Sequence, residues 1–337
     1  MVTQKPLRLE PAVNEHAAIE IGLNAAIVSI HDNNPQILTV SGTGSGTERD
    51  SLPYGPFAPL RHRTLETGLR SWVREQTGLG IGYVEQLYTF GDRGRHARPG
   101  DLSPHVVSIG YVALIRFSDT EELTGGRWWD WYSFLPWEDW RDGKPAILEH
   151  EIEPRLRRWI AGSKSRRGRY SPFPSADRLR MCFGLDGVGW DEEKVLERYE
   201  LLYEAGLVVE AKLDDRAAAD QWGALPEFGR PMRYDHRRTL ATAMSRLRAK
   251  IKYRPVIFEL MPGEFTLFEL QRTVEAILGS HLHKQNFRRL VENGGLVEAT
   301  EEVRANTGGR PAKLFRFRRE VLLERPAPGV RVHPLRV

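Results

Sequence analysis

Thr266-Leu-Phe-Glu-Leu-Gln-Arg-Thr-Val-Glu-Ala-Ile-Leu278, Gly279-Ser280 and His281-Leu-His-Lys-Gln-Asn-Phe-Arg-Arg-Leu-Val-Glu292 form one continuous stretch of the 337-residue chain. Thr266 and Glu269 have the Thr-x-x-Glu spacing in which a hydroxyl accepts from a backbone N–H of the first turn and the carboxylate returns to the cap's own N–H. A helix is predicted to begin there. Gly279-Ser280 breaks it, and a second helix is expected from His281 to Glu292. Leu282, Phe287, Leu290 and Val291 supply its apolar side, which leaves His283, Lys284, Gln285, Asn286, Arg288 and Arg289 outward. Amides can read base edges in a major groove and cations can hold phosphates. A helix-turn-helix with this second helix has the composition of a double-stranded DNA reader.

Working outward, Leu296 to Thr300 and Lys313 to Phe317 read as two strands flanking a hydrophilic tip, Glu301 to Gly309, with Arg310 and Lys313 as cations on the hairpin. That order makes a winged helix-turn-helix, and the DNA-contacting residues expected are Thr266, His283, Lys284, Gln285, Asn286, Arg288, Arg289, Arg310 and Lys313. Upstream, Leu240, Met244, Leu247 and Ile251 share one face of a helix from Thr239 to Lys252. The charge supports the same reading. The net +4 hides a last third, 231–337, with 21 Lys and Arg against 11 Asp and Glu, while the preceding part is mildly acidic. A basic region implies a polyanion partner; the competing reading is that these helices pack on a protein and the cations only keep them solvated.

The composition, 40% hydrophobic and 28% charged, is globular, and no apolar run approaches the roughly 18 residues of a membrane span. The polar start Met1-Val-Thr-Gln-Lys-Pro and the single Cys182 lead to the expectation of a cytoplasmic protein without a disulfide framework.

In the first part, residues 20–40 give two β-rich runs around Asp32-Asn33-Asn34-Pro35, a hairpin signal. A Gly/Ser/Thr-rich loop, 41–47, leads to Leu52-Pro-Tyr-Gly-Pro-Phe57. Leu65, Leu69, Trp72 and Val73 then mark a helix capped by Thr64 and ended by Gly78. Strands are predicted at Tyr83 to Phe90 and Val106 to Phe117, separated by a basic loop, Asp92 to Pro104. Five Trp between Arg127 and Trp140 point to core packing more than to base stacking. Helices follow at Glu149 to Ile160 and Asp191 to Ala205, with a basic linker, Lys164 to Arg169, between them. Ala205-Gly-Leu-Val208 running into Val209-Glu-Ala211 is expected to be a helix-to-strand passage like Gly294 to Ala299, and 175–213 is weighed as a second small helix-turn-helix.

Arg74-Glu75-Gln76-Thr77-Gly78-Leu79 at the end of the first helix resembles a degenerate Nudix box. When the box is anchored on Gly78 and Leu79, its Arg-Glu pair falls on Ser71 and Trp72, its Glu-Glu pair on Glu75 and Gln76, and its upstream Gly and Glu on Phe57 and Arg63. Magnesium-assisted pyrophosphate hydrolysis needs several carboxylates on one helical face, and only Glu75 survives. Hydrolysis, and any metal or catalytic residue, is therefore not expected.

The whole chain resembles the Nudix-related transcriptional regulators of NAD biosynthesis called NrtR, and their alphaproteobacterial relatives called NadQ. The resemblance rests on Leu52-Pro-x-Gly-x-Phe57 with Thr64-Leu-Glu66, Val84 to Asp92, Val106 to Leu114, Tyr234-Asp-His236, Leu247-Arg-x-Lys250, His283 to Arg289, and Gly309 to Phe317. It implies an α+β chain, a Nudix-like α/β/α sandwich followed by a winged helix-turn-helix domain. The expected divisions are an effector-sensing domain at 1–149, a helical and basic insert with linker at 150–229, the DNA-binding domain at 230–320 and a tail at 321–337. It further implies a homodimeric repressor of NAD metabolism genes on an inverted-repeat operator. That repressor needs no cofactor and responds to ATP, ADP-ribose or an NAD-related nucleotide. The effector-binding residues expected are Arg61, Arg63, Arg70, Glu75, Phe90, Arg93 and Arg95. The rival readings are an active Nudix pyrophosphohydrolase with a basic nucleic-acid-binding domain and, less favoured, an RNA-binding module, which lacks the exposed aromatic sheet motifs of common RNA binders.

Overall fold

A computed structural model of the chain describes residues 19–41, 49–92, 105–118, 122–162, 173–225, 227–304, 311–330 and 332. The sheet starts with β1 (Ile19–His31) and β2 (Asn34–Ser41). Their antiparallel pairing closes at His31↔Asn34, and Asp32 and Asn33 both take positive φ, 47° and 60°. Such a two-residue turn matches the right-handed twist of the strands and favours Asn and Asp; Pro35, expected in the turn, pairs with Ile30 inside β2. β3 (Asp50–Ser51) and β4 (Tyr54–Pro56) lead to α1 (Leu65–Thr77), after which β5 (Tyr83–Phe90), β6 (His105–Leu114) and β7 (Arg127–Asp130) complete seven strands among the described residues. The main path runs β3-β2-β1-β6-β5, with β4 on β1 and β7 on β2, and β1 runs parallel to β6.

Side chains alternate across the sheet, and the alternation decides what covers each face. Leu23, Ala25, Ile27, Ile109, Tyr111 and Ala113 point to α1, whose Leu69 and Val73 are fully buried on them. Thr64 caps α1 by accepting from Thr67, and Gly78 ends it with φ 80°. Ala26, Val28, Val112 and Leu114 point the other way, into a larger core with Trp131, Phe134 and Trp137. The Trp-rich run is thus core, with Trp131 and Trp137 wholly enclosed.

That larger core does not stop at the sheet. A π-helical turn, Leu148–Ile152, enters α2 (Glu153–Ala161), followed by α3 (Ser175–Phe183), α4 (Val195–Glu204) and α5 (Val209–Leu213). Leu156, Trp159, Leu179, Phe183, Leu201 and Leu202 join the same apolar cluster as Val28 and Trp131. The helical part of 150–229, expected as insert and linker, contributes to that core; the basic stretch 164–169 lies outside the described residues. Val209–Ala211 is helical, not a strand. A strand needs a neighbour to take its backbone groups, and none is offered there, whereas the similar Val297 has one. With α5 in that place, 175–213 holds three helices and no wing.

The chain continues through α6 (His236–Ile251), a 3-10 turn at Val256–Glu259, α7 (Leu267–Leu278), α8 (Lys284–Asn293) and the hairpin β8 (Val297–Arg304) and β9 (Ala312–Phe317). The wing strand β8 outlasts its predicted end at Thr300, and the tip at 305–310 lies outside the described residues. α9 (Val321–Glu324) follows, and the expected tail is docked as far as it is described. Val321, Val330 and Val332 are buried, and the Val330 N–H donates to the Ile251 carbonyl at 3.0 Å.

One dry ionic cluster joins these parts. Arg198 of α4 grips the Glu138 carboxylate through two nitrogens, at 2.6 and 2.7 Å, and Arg248 of α6 reaches it at 2.8 Å; all three side chains are fully buried. Burial opposes the charge on Arg248, and Tyr132 and Glu138 outweigh it, so its pKa stands above the ordinary guanidinium value. Removing one member of such a set typically costs about 3–5 kcal/mol, because the remaining charges stay buried.

Gly279, which ends α7 with φ 71°, lies against this cluster. A Cβ built on it would be 2.4 Å from the Glu138 carbonyl oxygen. Gly279→Ala combines a left-handed residue with a backbone clash and should cost about 2 kcal/mol or more, whereas a Cβ on Gly263 meets nothing within 4 Å. Thermal melts should separate the two, with Gly279→Ala melting lower and Gly263→Ala close to the parent.

Candidate functional site

The Thr266 hydroxyl accepts from the Glu269 N–H at 3.1 Å, and the Glu269 carboxylate accepts from the Thr266 N–H at 2.8 Å. Thr266 is thereby buried and occupied as a cap, so the structure gives it a local role and no exposed hydroxyl for DNA. α8 starts at Lys284 instead of His281. The reason is Glu275, whose buried carboxylate accepts from the Leu282 N–H at 3.0 Å and from Gln271 at 2.8 Å, while Gln271 also donates to the Leu282 carbonyl at 3.1 Å. Those contacts fix 280–282 as a turn. Burial pushes the Glu275 pKa up, but the bonds from Leu282, Gln271 and His281 outweigh it and hold it below the ordinary carboxylate value. The Gln-x-x-x-Glu spacing of 271 and 275 was the sequence signal for this brace, which sequence reasoning missed.

On α8 itself, Phe287 and Val291 are buried, while Lys284, Gln285, Asn286, Arg288 and Arg289 form an exposed polar face behind the exposed His283 cap. No side chain caps the first-turn N–H groups, and a helix start with unpaired donors suits phosphate. The wing is held close by. Phe265 and Phe315 exchange two backbone hydrogen bonds, and Arg304 of β8 pairs with Glu269 of the capping box. Lys313 is exposed on β9, and Arg310 lies outside the described residues. Phe268, 52% exposed on α7 with the Arg272 guanidinium above its ring, is an exposed apolar side chain that the sequence did not flag.

The expected effector residues that are described fall on both faces of the sheet. Arg61 and Arg63 are exposed ahead of α1, and Glu75 is exposed on it. Arg70 is spent on the chain itself, donating to the carbonyls of Ile81 and Gly82 and pairing with Glu66. Phe90 is on the opposite face of the sheet, buried under the Arg238 guanidinium at 4.8 Å. Arg93 and Arg95 lie outside the described residues. Two of the box positions that would carry carboxylates, Trp72 and Gln76, are structural struts. The Trp72 ring fills the space over Gly55 and its indole donates to the Pro56 carbonyl at 2.9 Å, while the Gln76 amide takes both the N–H and the carbonyl of Tyr54. A magnesium ion does not fit this donor set, and no group of three metal-ligating side chains occurs among the described residues.

Two clefts open on the α6 side of the sheet. The larger, about 750 Å³, lies between the end of β5 and helices α3, α4 and α6, with Tyr88, Phe90, Arg178, Glu197 and Arg238 in its lining. The smaller, about 190 Å³, lies between β1, β4 and β6, with Asn24, Tyr54, Ser108, Tyr234 and His236 around it. Asn24 donates to Ser108 at 2.6 Å, and its buried amide oxygen has no hydrogen-bond partner among the described residues. The Tyr54 and Tyr234 hydroxyls meet at 3.0 Å, and burial first, then that bond, pushes the Tyr54 pKa up to about 12. No helix among the described residues is long and apolar enough to cross a membrane.

Residues 257–317 match the family model of the NrtR DNA-binding winged helix domain. Over 84 residues the chain is 44% identical to the ADPR responsive transcriptional repressor NtrR of Acinetobacter baylyi, a match covering 25% of this chain and about a third (33%) of that protein. The NrtR structure from Shewanella oneidensis superimposes with a TM-score of 0.52 at 20% identity, over 94% of this chain and 98% of that one. Its complex with a 27mer DNA gives 0.51 at 19% identity, over 89% and 94%. A MutT/nudix family protein from Enterococcus faecalis gives 0.51 at 14% identity, over 91% and 89%. At these identities the structural likenesses are of fold. The chain therefore joins a Nudix fold to a winged helix domain of the NrtR DNA-binding family.

Proposed function

We propose that this protein is a transcriptional repressor of NAD metabolism genes that binds operator DNA through α8 and the wing and responds to a nucleotide on its Nudix-fold half. The observation that carries the reading is the exposed Lys284-Gln-Asn-x-Arg-Arg289 face, set within the segment that matches the NrtR winged helix. Lys284, Arg288 and Arg289 hold phosphates in this reading, Gln285 and Asn286 read bases, and Lys313 and Arg310 reach the flanking backbone. One such helix reads only a few base pairs, so a homodimer on an inverted repeat supplies the needed length.

The name of the Acinetobacter relative supports ADP-ribose as the first effector to test. The site assigned to it is the α6 side of the sheet. There Asn24 offers an unpaired acceptor, Tyr54, Tyr234 and His236 offer aromatic edges, and Phe90 and Arg238 open the neighbouring cleft. The exposed Arg61 and Arg63 are available to a phosphate near α1. Hydrolysis has no place in this reading, because the side chains at the box positions brace the β4 segment in place of a metal.

Binding to a duplex selected by the protein from random sequence tests the assignment. Arg288→Ala or Arg289→Ala should weaken binding on all sequences and reduce the salt slope by about one. Gln285→Ala or Asn286→Ala should relax sequence discrimination by about 1–3 kcal/mol at one position; equal losses on every duplex would refute base reading. Incubated with ADP-ribose and Mg²⁺, the protein should release no AMP above background. AMP release abolished by Glu75→Gln would establish the hydrolase instead.

A further inference from the structure

We infer that Tyr132, Glu138 and Arg248 are positioning residues through which the Nudix-fold half sets the orientation of the α7–α8 pair; the inference rests on the proposed function. The last carbonyls of a helix have no partner within it, and at the end of α7 outside residues take them. The Tyr132 hydroxyl donates to the Ala276 carbonyl at 2.7 Å, Arg248 Nε to the Ile277 carbonyl at 2.9 Å, and the Trp140 N–H to the Gly279 carbonyl at 2.7 Å. Tyr132 and Trp140 belong to the Trp-rich segment that packs under the sheet, and Arg248 to α6. Arg248 also donates to the Glu138 carbonyl at 3.0 Å and to the Tyr132 hydroxyl at 3.3 Å, so Tyr132, Glu138 and Arg248 form one unit. α8 begins five residues beyond Gly279. Whatever fixes the end of α7 fixes the reading helix.

The same helices reach the ligand clefts. α6 places His236 and Arg238 of its first turn in the two clefts and Arg248 of its last turns in the clamp. α4 places Glu197 and Glu200 in the larger cleft and Arg198 between them on Glu138. A fully buried, ion-paired contact has few alternative arrangements, because each displaced charge would lose its partner without gaining water. Displacement of α4 or α6 by an occupant is therefore passed to α7 instead of being absorbed.

The test is the coupling ratio, the dissociation constant for the selected duplex with saturating ADP-ribose divided by that without. By linkage, DNA must change ADP-ribose affinity by the same factor. In Tyr132→Phe, which removes one hydroxyl, the ratio should fall at least threefold toward one, while the DNA-free protein binds ADP-ribose within twofold of the parent. Glu138→Gln should lower it further; if that variant does not fold, Tyr132→Phe decides. Leu156→Ala, which opens a cavity at α2, a helix that contributes no residue to the clamp, should melt lower and keep the parental ratio. A parental ratio retained in Tyr132→Phe overturns the clamp alone, and a ratio lost equally in Leu156→Ala reduces it to general stability. A wild-type ratio of one overturns the proposed effector, and the clamp with it.

Discussion

The Glu138 carboxylate between Arg198 and Arg248 is the contact on which the arrangement of the whole chain depends. Each residue comes from a different part: the Trp-rich segment after the sheet, the helix α4 and the helix α6. Two guanidiniums on one carboxylate leave a net positive charge in a dry interior, which is tolerable only because carbonyls absorb the remaining donors. Arg198 gives a second hydrogen-bonding arm to the Cys182 and Asp191 carbonyls, and Arg248 gives its own to the Glu192 and Ile277 carbonyls. Such a contact fixes relative position more than it adds stability, since apolar residues of equal volume would hold as well.

The Nudix-fold half shows a different substitution of roles. At α1 the fold keeps the helix, its cap and its terminal glycine, but Trp72 and Gln76 use those positions to hold β4. A carboxylate cluster would repel itself and require an ion. An indole and an amide need nothing further, and they leave the helix rigid. The clefts lined by Asn24 and by Phe90 lie on the opposite face of the sheet.

Much of this was legible in the residues themselves, because local signals have local causes. The Thr266–Glu269 box, the Asp32–Asn33 turn and the Thr64 cap with Gly78 each depend on neighbours within a few positions, and the polar face of α8 follows from helical spacing around Phe287 and Val291. What failed depends on remote partners. The start of α8 is moved by Glu275, one helix away. Val209 has strand propensity but no strand to pair with. The helices of 150–229 show amphipathy, which says that they bury a face and not against what. Arg70 and Thr266 carry the right groups for ligands, but the chain consumes both, and nothing in their sequence surroundings tells donation to a backbone carbonyl from donation to a phosphate.

The single apolar cluster that runs from Val28 through Leu156 and Leu202 to Phe287 and Val332 has a consequence for how such a chain can diversify. In many two-part proteins each part closes its own core and can be exchanged as a cassette. Here the boundary before the winged helix cuts across that cluster, so a transplanted winged helix would arrive with its inner surface bare and leave apolar side chains uncovered behind it. The outward positions of α8, by contrast, are free of the common interior and open to substitution.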